Sequence, residues 1–241
     1  MLRLKIQMSV EHIDERLLHI RERIARAASR SGRRAEEITL IAVSKTHPAS
    51  NIRAALVAGV VHFGENRVQE WEGKRGEIAD LPGRWHLIGH LQSNKAARAA
   101  RMFHSVDSVD DAALAERLNR ARNEPGVTEK LRVLIEVHIA GEESKSGASI
   151  SSLHALAEQI LKLENLWLAG LMCIPPFLED TEQVRPYFRK LRELRDSLQL
   201  HSRHDLPVLS MGMSHDFEVA IEEGATEVRV GTALFGERNT K

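Results

Sequence analysis

Hydrophobic and polar positions along this chain change period once, near residue 38. Before it, Val10, Ile13, Leu17, Ile20, Ile24 and Ala27 recur at helical spacing, and Arg and Glu fill the opposite face. The pattern predicts a helix over Ser9–Arg30, with Ser9 as N-cap and Gly32 as the stop. After it, Leu40 to Val43 is an uninterrupted apolar run, as in a parallel strand covered on both faces. Pro48 suits the first turn of a following helix. Further strands are predicted at 60–64, 84–89, 103–107, 131–139, 166–174, 207–211 and 226–231. Helices are predicted at 66–79, 93–102, 110–123, 149–164 and 181–200. Pro186 leaves the true start of that last one open. Ser214 is the predicted cap of a helix ending at Gly224, and a short helix follows Thr232.

Eight strands, each followed by a helical segment, imply a parallel sheet. Eight such units in about 250 residues is the count and size of a closed (β/α)8 barrel of the TIM type. An open doubly wound sheet has the same repeats and is the alternative. No linker or low-complexity stretch divides the 241 residues, so one domain is expected. Residues 38–241 would form the barrel, and residues 1–37 would supply a helix packed on it.

Composition narrows the function. Formal charge is zero, so no global field draws nucleic acid or anionic membrane. No apolar run approaches the roughly 20 residues that span a bilayer. Met1 to Met8 lack the core and cleavage site of a signal peptide. The single cysteine, Cys173, excludes an internal disulfide and suits a reducing compartment, so a cytoplasmic location is expected. Lys95, Arg98 and Arg101 read as a solvated face. A monomer is expected.

Lys45 is the residue with the most chemistry. It stands at the carboxyl end of the first strand, where (β/α)8 barrels and open sheets build ligand sites. Desolvation or a nearby cation there would leave a neutral amine able to form a Schiff base. The bland reading is a lysine that snorkels to the rim. Strand alternation sends more polar groups inward. Trp85 and Leu87 claim the outer face of their strand and leave His86 inside. Val133, Ile135 and Val137 do the same for Glu136 and His138, and Val228 and Val230 for Arg229. A buried ion-pair network would also account for these groups. Ser210-Met-Gly-Met-Ser214 and Arg229-Val-Gly231-Thr232 lie where such barrels bind phosphate. The P-loop, Gly-x-Gly-x-x-Gly and His-Glu-x-x-His patterns are missing, and no metal site is expected. A Schiff-base lysine, a phosphate cup and an inward arginine together specify pyridoxal 5′-phosphate (PLP). An arginine at the pyridine nitrogen stays charged and weakens the ring as an electron sink.

From Ile38 onward these residues resemble the PLP homeostasis protein family, whose fold is like the barrel domain of alanine racemase. The resemblance rests on Ala42-Val-Ser-Lys-Thr-His-Pro48, Phe63-Gly-Glu-Asn66 and Trp85-His-Leu-Ile-Gly89 with Leu91-Gln-Ser-Asn-Lys95. It continues through Ser105-Val-Asp-Ser108, Gly170-Leu-Met-Cys-Ile-Pro-Pro176, Leu209-Ser-Met-Gly-Met-Ser214 and Val228-Arg-Val-Gly-Thr232. It implies Lys45 carrying PLP as an internal aldimine, Arg229 at the pyridine nitrogen, and Ser210, Gly231 and Thr232 at the phosphate. It also implies that Asn66 and His86 line the pocket. Lys145 and Gly147 match the family's loop, but His138 stands where the family usually has Asn.

Two functions stay open. The family resemblance implies a non-catalytic PLP carrier in vitamin B6 homeostasis, with apo PLP-dependent enzymes as partners. The alternative is a small PLP-dependent amino-acid racemase. The racemases resembled carry an additional β-rich domain and use a tyrosine as second base. This chain ends soon after the eighth strand and has only Tyr187, placed on a helix.

Overall fold

The structure is a computed structural model that describes residues 2–140 and 146–236, with side chains from residue 12 onward. Eight parallel strands close on themselves in chain order: β1 (Thr39–Val43), β2 (His62–Glu65), β3 (Arg84–Leu87), β4 (Ser105–Val109), β5 (Leu131–Glu136), β6 (Leu166–Met172), β7 (Val208–Met213) and β8 (Glu227–Val230). Closure is made by β8 against β1, with Ile41 level with Arg229. The barrel reading of the sequence therefore holds, and the open sheet does not. Helices α1 (Leu2–Arg30), α2 (Ala49–Val57), α3 (Val68–Arg75), α4 (Ala96–Met102), α5 (Ala112–Arg122), α6 (Leu153–Leu161), α7 (Arg185–Ser202), α8 (Phe217–Glu222) and α9 (Thr232–Phe235) surround it.

Alternation separates two apolar layers. Val133, Ile135, Val137, Val228 and Val230 face the helices and join one large core with Trp85, Leu87, Leu168 and Leu171. A small separate cluster of Leu134, Ala169, Met172 and Val208 fills the inside. At Gly64 the interior is so tight that a Cβ would come within 2.8 Å of Ile88 Cδ1 and 3.1 Å of Ile41 Cγ2. Glycine is needed there for close approach.

Helix α1 begins at Leu2, seven residues before the expected cap, so Ser9 is interior to it. Leu2 to Met8 are mostly strong helix formers with no glycine or proline, which lets the helix run on. Ile13, Leu17, Ile20, Ile24 and Ala27 are buried in the outer core. Arg23 binds Glu218 of α8 through two bonds of 2.6 and 2.9 Å, and Arg30 binds Glu222 at 2.6 Å. Pro186 sits in the first turn of α7 after a 3-10 turn at Thr181–Val184, which settles that start. Lys145 lies outside the described residues.

Candidate functional site

Lys45 lies two residues past the end of β1, and its neighbours on both sides are anchored. The Ser44 hydroxyl donates to Glu65 Oε1 at 2.6 Å. Thr46 has φ 67°, a left-handed conformation uncommon for a β-branched residue. Its N–H donates to the Glu70 carboxylate, which Lys74 Nζ holds at 2.5 Å. Glu70 and Lys74 thus offset a strained turn whose effect is to aim the residue before it.

Lys45, Asn66, Arg229, Gly231 and Thr232 line one cavity of about 260 Å³ at the carboxyl end of the strands. Val43, Ile88, Ile174, Phe177 and Met213 form its apolar sides, and Ser214 and His215 complete it. Arg229 is buried, with Nη1 donating to Ser210 Oγ and Nη2 to the Cys173 carbonyl, both at 2.8 Å. Burial pushes the Cys173 thiol up to about 12, so it is inert core. The N–H groups of Gly231 and Ala233 point at one oxygen, Ser214 Oγ, at 3.2 and 3.4 Å. Gly89, just past β3, lies against the loop between β2 and α3: a Cβ there would lie 2.8 Å from Asn66 Cα. Asn66 Oδ1 is buried without a hydrogen-bond partner among the described residues.

These features fit PLP. Among the described residues no lining side chain is acidic, one lining guanidinium favours an anion, and the apolar sides suit a planar ring. Lys45 supplies the amine, and the orphaned Asn66 carboxamide awaits a donor.

Two expected contacts fall elsewhere. Ser210 does not line the cavity, because its hydroxyl accepts from Arg229 from within the wall. His86 faces inward as alternation requires, but toward the amino ends of the strands. Its Nε2 lies 2.9 Å from His62 Nδ1 and its Nδ1 3.3 Å from Asp107 Oδ2. Burial alone would raise the Asp107 carboxyl, yet Arg132, His86 and Ser105 hold it at about 2. Asp107 and Glu227 both pair with Arg132, beside His86. The ion-pair reading of the interior describes Asp107, Arg132 and Glu227, and His86 lies against this group rather than in the Lys45 cavity lining. His138 is half-buried and outside the cavity lining. The sequence offered Ser214 both as a helix cap and as the end of a loop placed where such barrels bind phosphate. Asp216 takes the N-cap position of α8 instead, which leaves Ser214 to the cavity.

Glu136 does face the interior. Burial, then Asp110, pushes its carboxyl up to about 7, against a lowering by Arg229. The native state thus binds a proton that the unfolded chain, with the ordinary value of 4.5, has released. Stability from this group falls as pH rises from 4.5 to 7. In cofactor-free protein, Glu136→Gln should gain on the parent across that window. Urea midpoints at pH 5 and pH 8 would check it; a difference that shrinks toward pH 8 contradicts it.

The family model described as "Alanine racemase, N-terminal domain" matches residues 16–239. A pyridoxal phosphate homeostasis protein of Aquifex aeolicus is 49% identical over 224 residues, covering 93% of this chain and 97% of the relative. That of Escherichia coli K12 is 43% identical over 232 residues, covering 94% and 97%. The solved structure of Synechococcus elongatus PipY with PLP bound is 40% identical, with a TM-score of 0.83 over 93% of this chain and all of that one. An alanine racemase of Clostridium difficile shares the fold at a TM-score of 0.70 and 12% identity, and this chain covers 57% of it.

Proposed function

The chain belongs to the pyridoxal phosphate homeostasis protein family, and from that membership we propose that it holds PLP on Lys45 and passes it on. The observation that carries this is one cavity in which Lys45, Arg229 and the Gly231–Thr232 backbone meet. When bound, PLP supplies an aldehyde and an electron-withdrawing ring. Lys45 offers the amine that holds the aldehyde carbon. Thr232, Gly231 and Ser214, whose Oγ accepts from the N–H groups of Gly231 and Ala233, would hold the phosphate. Arg229 would donate a hydrogen bond to the ring nitrogen and, being always protonated, would give it no proton. That choice weakens the ring as an electron sink and favours holding over turnover.

Two further features favour a carrier. Tyr187 packs against the outer core and lies outside the cavity lining, so it is no base for the site. Phe177 and Ile174, which line the cavity, are 73% and 45% exposed, which leaves a route to solvent and to an acceptor protein. Incubating the cofactor-loaded protein with an apo aminotransferase should restore the enzyme's activity as PLP moves across. PLP that stays on this chain while the acceptor remains inactive would contradict the carrier role.

A further inference from the structure

We propose that the amino-terminal mouth of the barrel is a second binding site, for a small phosphate-bearing anion. A cavity of about 250 Å³ opens there, at the end opposite Lys45. His62, Arg84 and Ser105 line it and are the first residues of β2, β3 and β4. In (β/α)8 barrels this end is ordinarily the stabilising, packed end. Here its floor is polar: His86 and Ser105 line the cavity and are 2% and 1% exposed.

The rim is cationic. Arg84, Arg101, Arg122, Lys130 and Arg132 line the cavity against a single carboxylate, Glu129. Arg132 is already paired with Glu227, and Arg101 with Glu124. Arg122 is different: it donates to the carbonyls of Glu129 and Ala100 at 3.1 and 2.9 Å, which orient its guanidinium without neutralising it. Arg84 and Lys130 stand exposed beside it. The charged forms of two lining histidines are disfavoured, first by burial and then by nearby basic groups. Burial, then His86, Arg84 and Arg132, hold His62 down at about 4. Burial and Arg84 also lower His104. The Trp85 N–H donates to His104 Nδ1 at 3.0 Å, which leaves Nε2 of that neutral ring as the donor.

Guanidinium forks match phosphate oxygens, and the cavity's size suits a small molecule rather than a polymer. Trp167 lines the cavity and is 45% exposed, offering a flat face to a planar ester group. A row of separately solvated cations is the bland reading. It accounts for Arg84 and Lys130, but not for a concave site with a buried polar floor.

The test uses cofactor-loaded protein fixed with borohydride, so that a phosphate cup at the other end is already filled. Inorganic phosphate and phenyl phosphate are titrated at constant ionic strength. Tryptophan fluorescence is read, with 31P line broadening as the second measure. Trp71 and Trp85 are buried and stacked at 3.6 Å, so the exposed Trp167 is the responsive ring. Saturable binding is expected, weakened at least about tenfold in the Arg84→Ser, Lys130→Ser double variant, which loses two charge-assisted contacts. Lys190→Ser, an exposed control on α7 outside the cavity, should bind as the parent does. Tighter binding of phenyl phosphate identifies an ester as the occupant, and equal binding identifies free phosphate. No saturable response, or equal affinity in the double variant, overturns the site. Failure of Lys45 to take up PLP would appear separately, as protein that borohydride leaves unlabelled.

Discussion

Replacing Lys45 with alanine is expected to abolish covalent retention of PLP. Among the described residues Lys45 is the only amine lining the cavity, so no other described lining group can replace it. The variant keeps Arg229, Thr232 and the N–H groups of Gly231 and Ala233, and should still hold PLP reversibly. Its affinity should fall at least about a hundredfold, equivalent to about 3 kcal/mol. Parent protein should be yellow, and borohydride should fix a pyridoxyl group to the peptide containing Lys45. The variant should retain none after borohydride and dialysis. A fixed label on Lys95, which lines a neighbouring cleft beyond Asn66, would contradict the assignment.

Gly170→Ala should be the most damaging single methyl group in the barrel. Gly170 lies on β6 between Leu134 of β5 and Val208 of β7. An added Cβ would collide with the Val208 carbonyl, coming 2.7 Å from its carbon and 3.0 Å from Cα. Backbone cannot swing aside as a flexible side chain can, so β6 and β7 must separate or shift register. A loss above about 3 kcal/mol is expected, a large share of the roughly 5–15 kcal/mol that holds a domain folded. Gly73→Ala is the matched control. It sits in α3 with nothing within 4 Å of the new Cβ, so it should gain about 0.5–1 kcal/mol from helix propensity. Urea unfolding of the two variants would check both signs. An unchanged midpoint for Gly170→Ala would contradict the packing described.

Which face a residue takes was readable from the sequence, because the strand period is two. Val133, Ile135 and Val137 went outward and Glu136 inward, and Arg229 went inward between Val228 and Val230. Depth along the barrel was not readable. His86 is inward, yet it meets His62, Asp107 and the amino ends of the strands, because depth depends on the stagger between neighbours. Ser210 shows the same limit one layer lower than expected, behind Arg229 rather than in the cavity. Ser214 carried two readings, a helix cap and part of a phosphate loop. A serine three residues before a helix has the look of a cap, and only the closed barrel brings it under Gly231 and Ala233. The start of α1 was missed because a capping signal at Ser9 was given more weight than seven preceding residues of high helix propensity.

The carrier proposal separates most sharply from a racemase in heavy water. Each L-amino acid would be incubated with the cofactor-loaded protein, and α-deuterium and D-isomer would be measured over time. On the proposed contact of Arg229 with the ring nitrogen, and with no tyrosine lining the cavity, exchange should stay far below the roughly 1–1,000 per second typical of enzymes. Deuterium incorporation within that range, accompanied by D-isomer and lost in Lys45→Ala, would contradict the carrier proposal and make the chain a racemase.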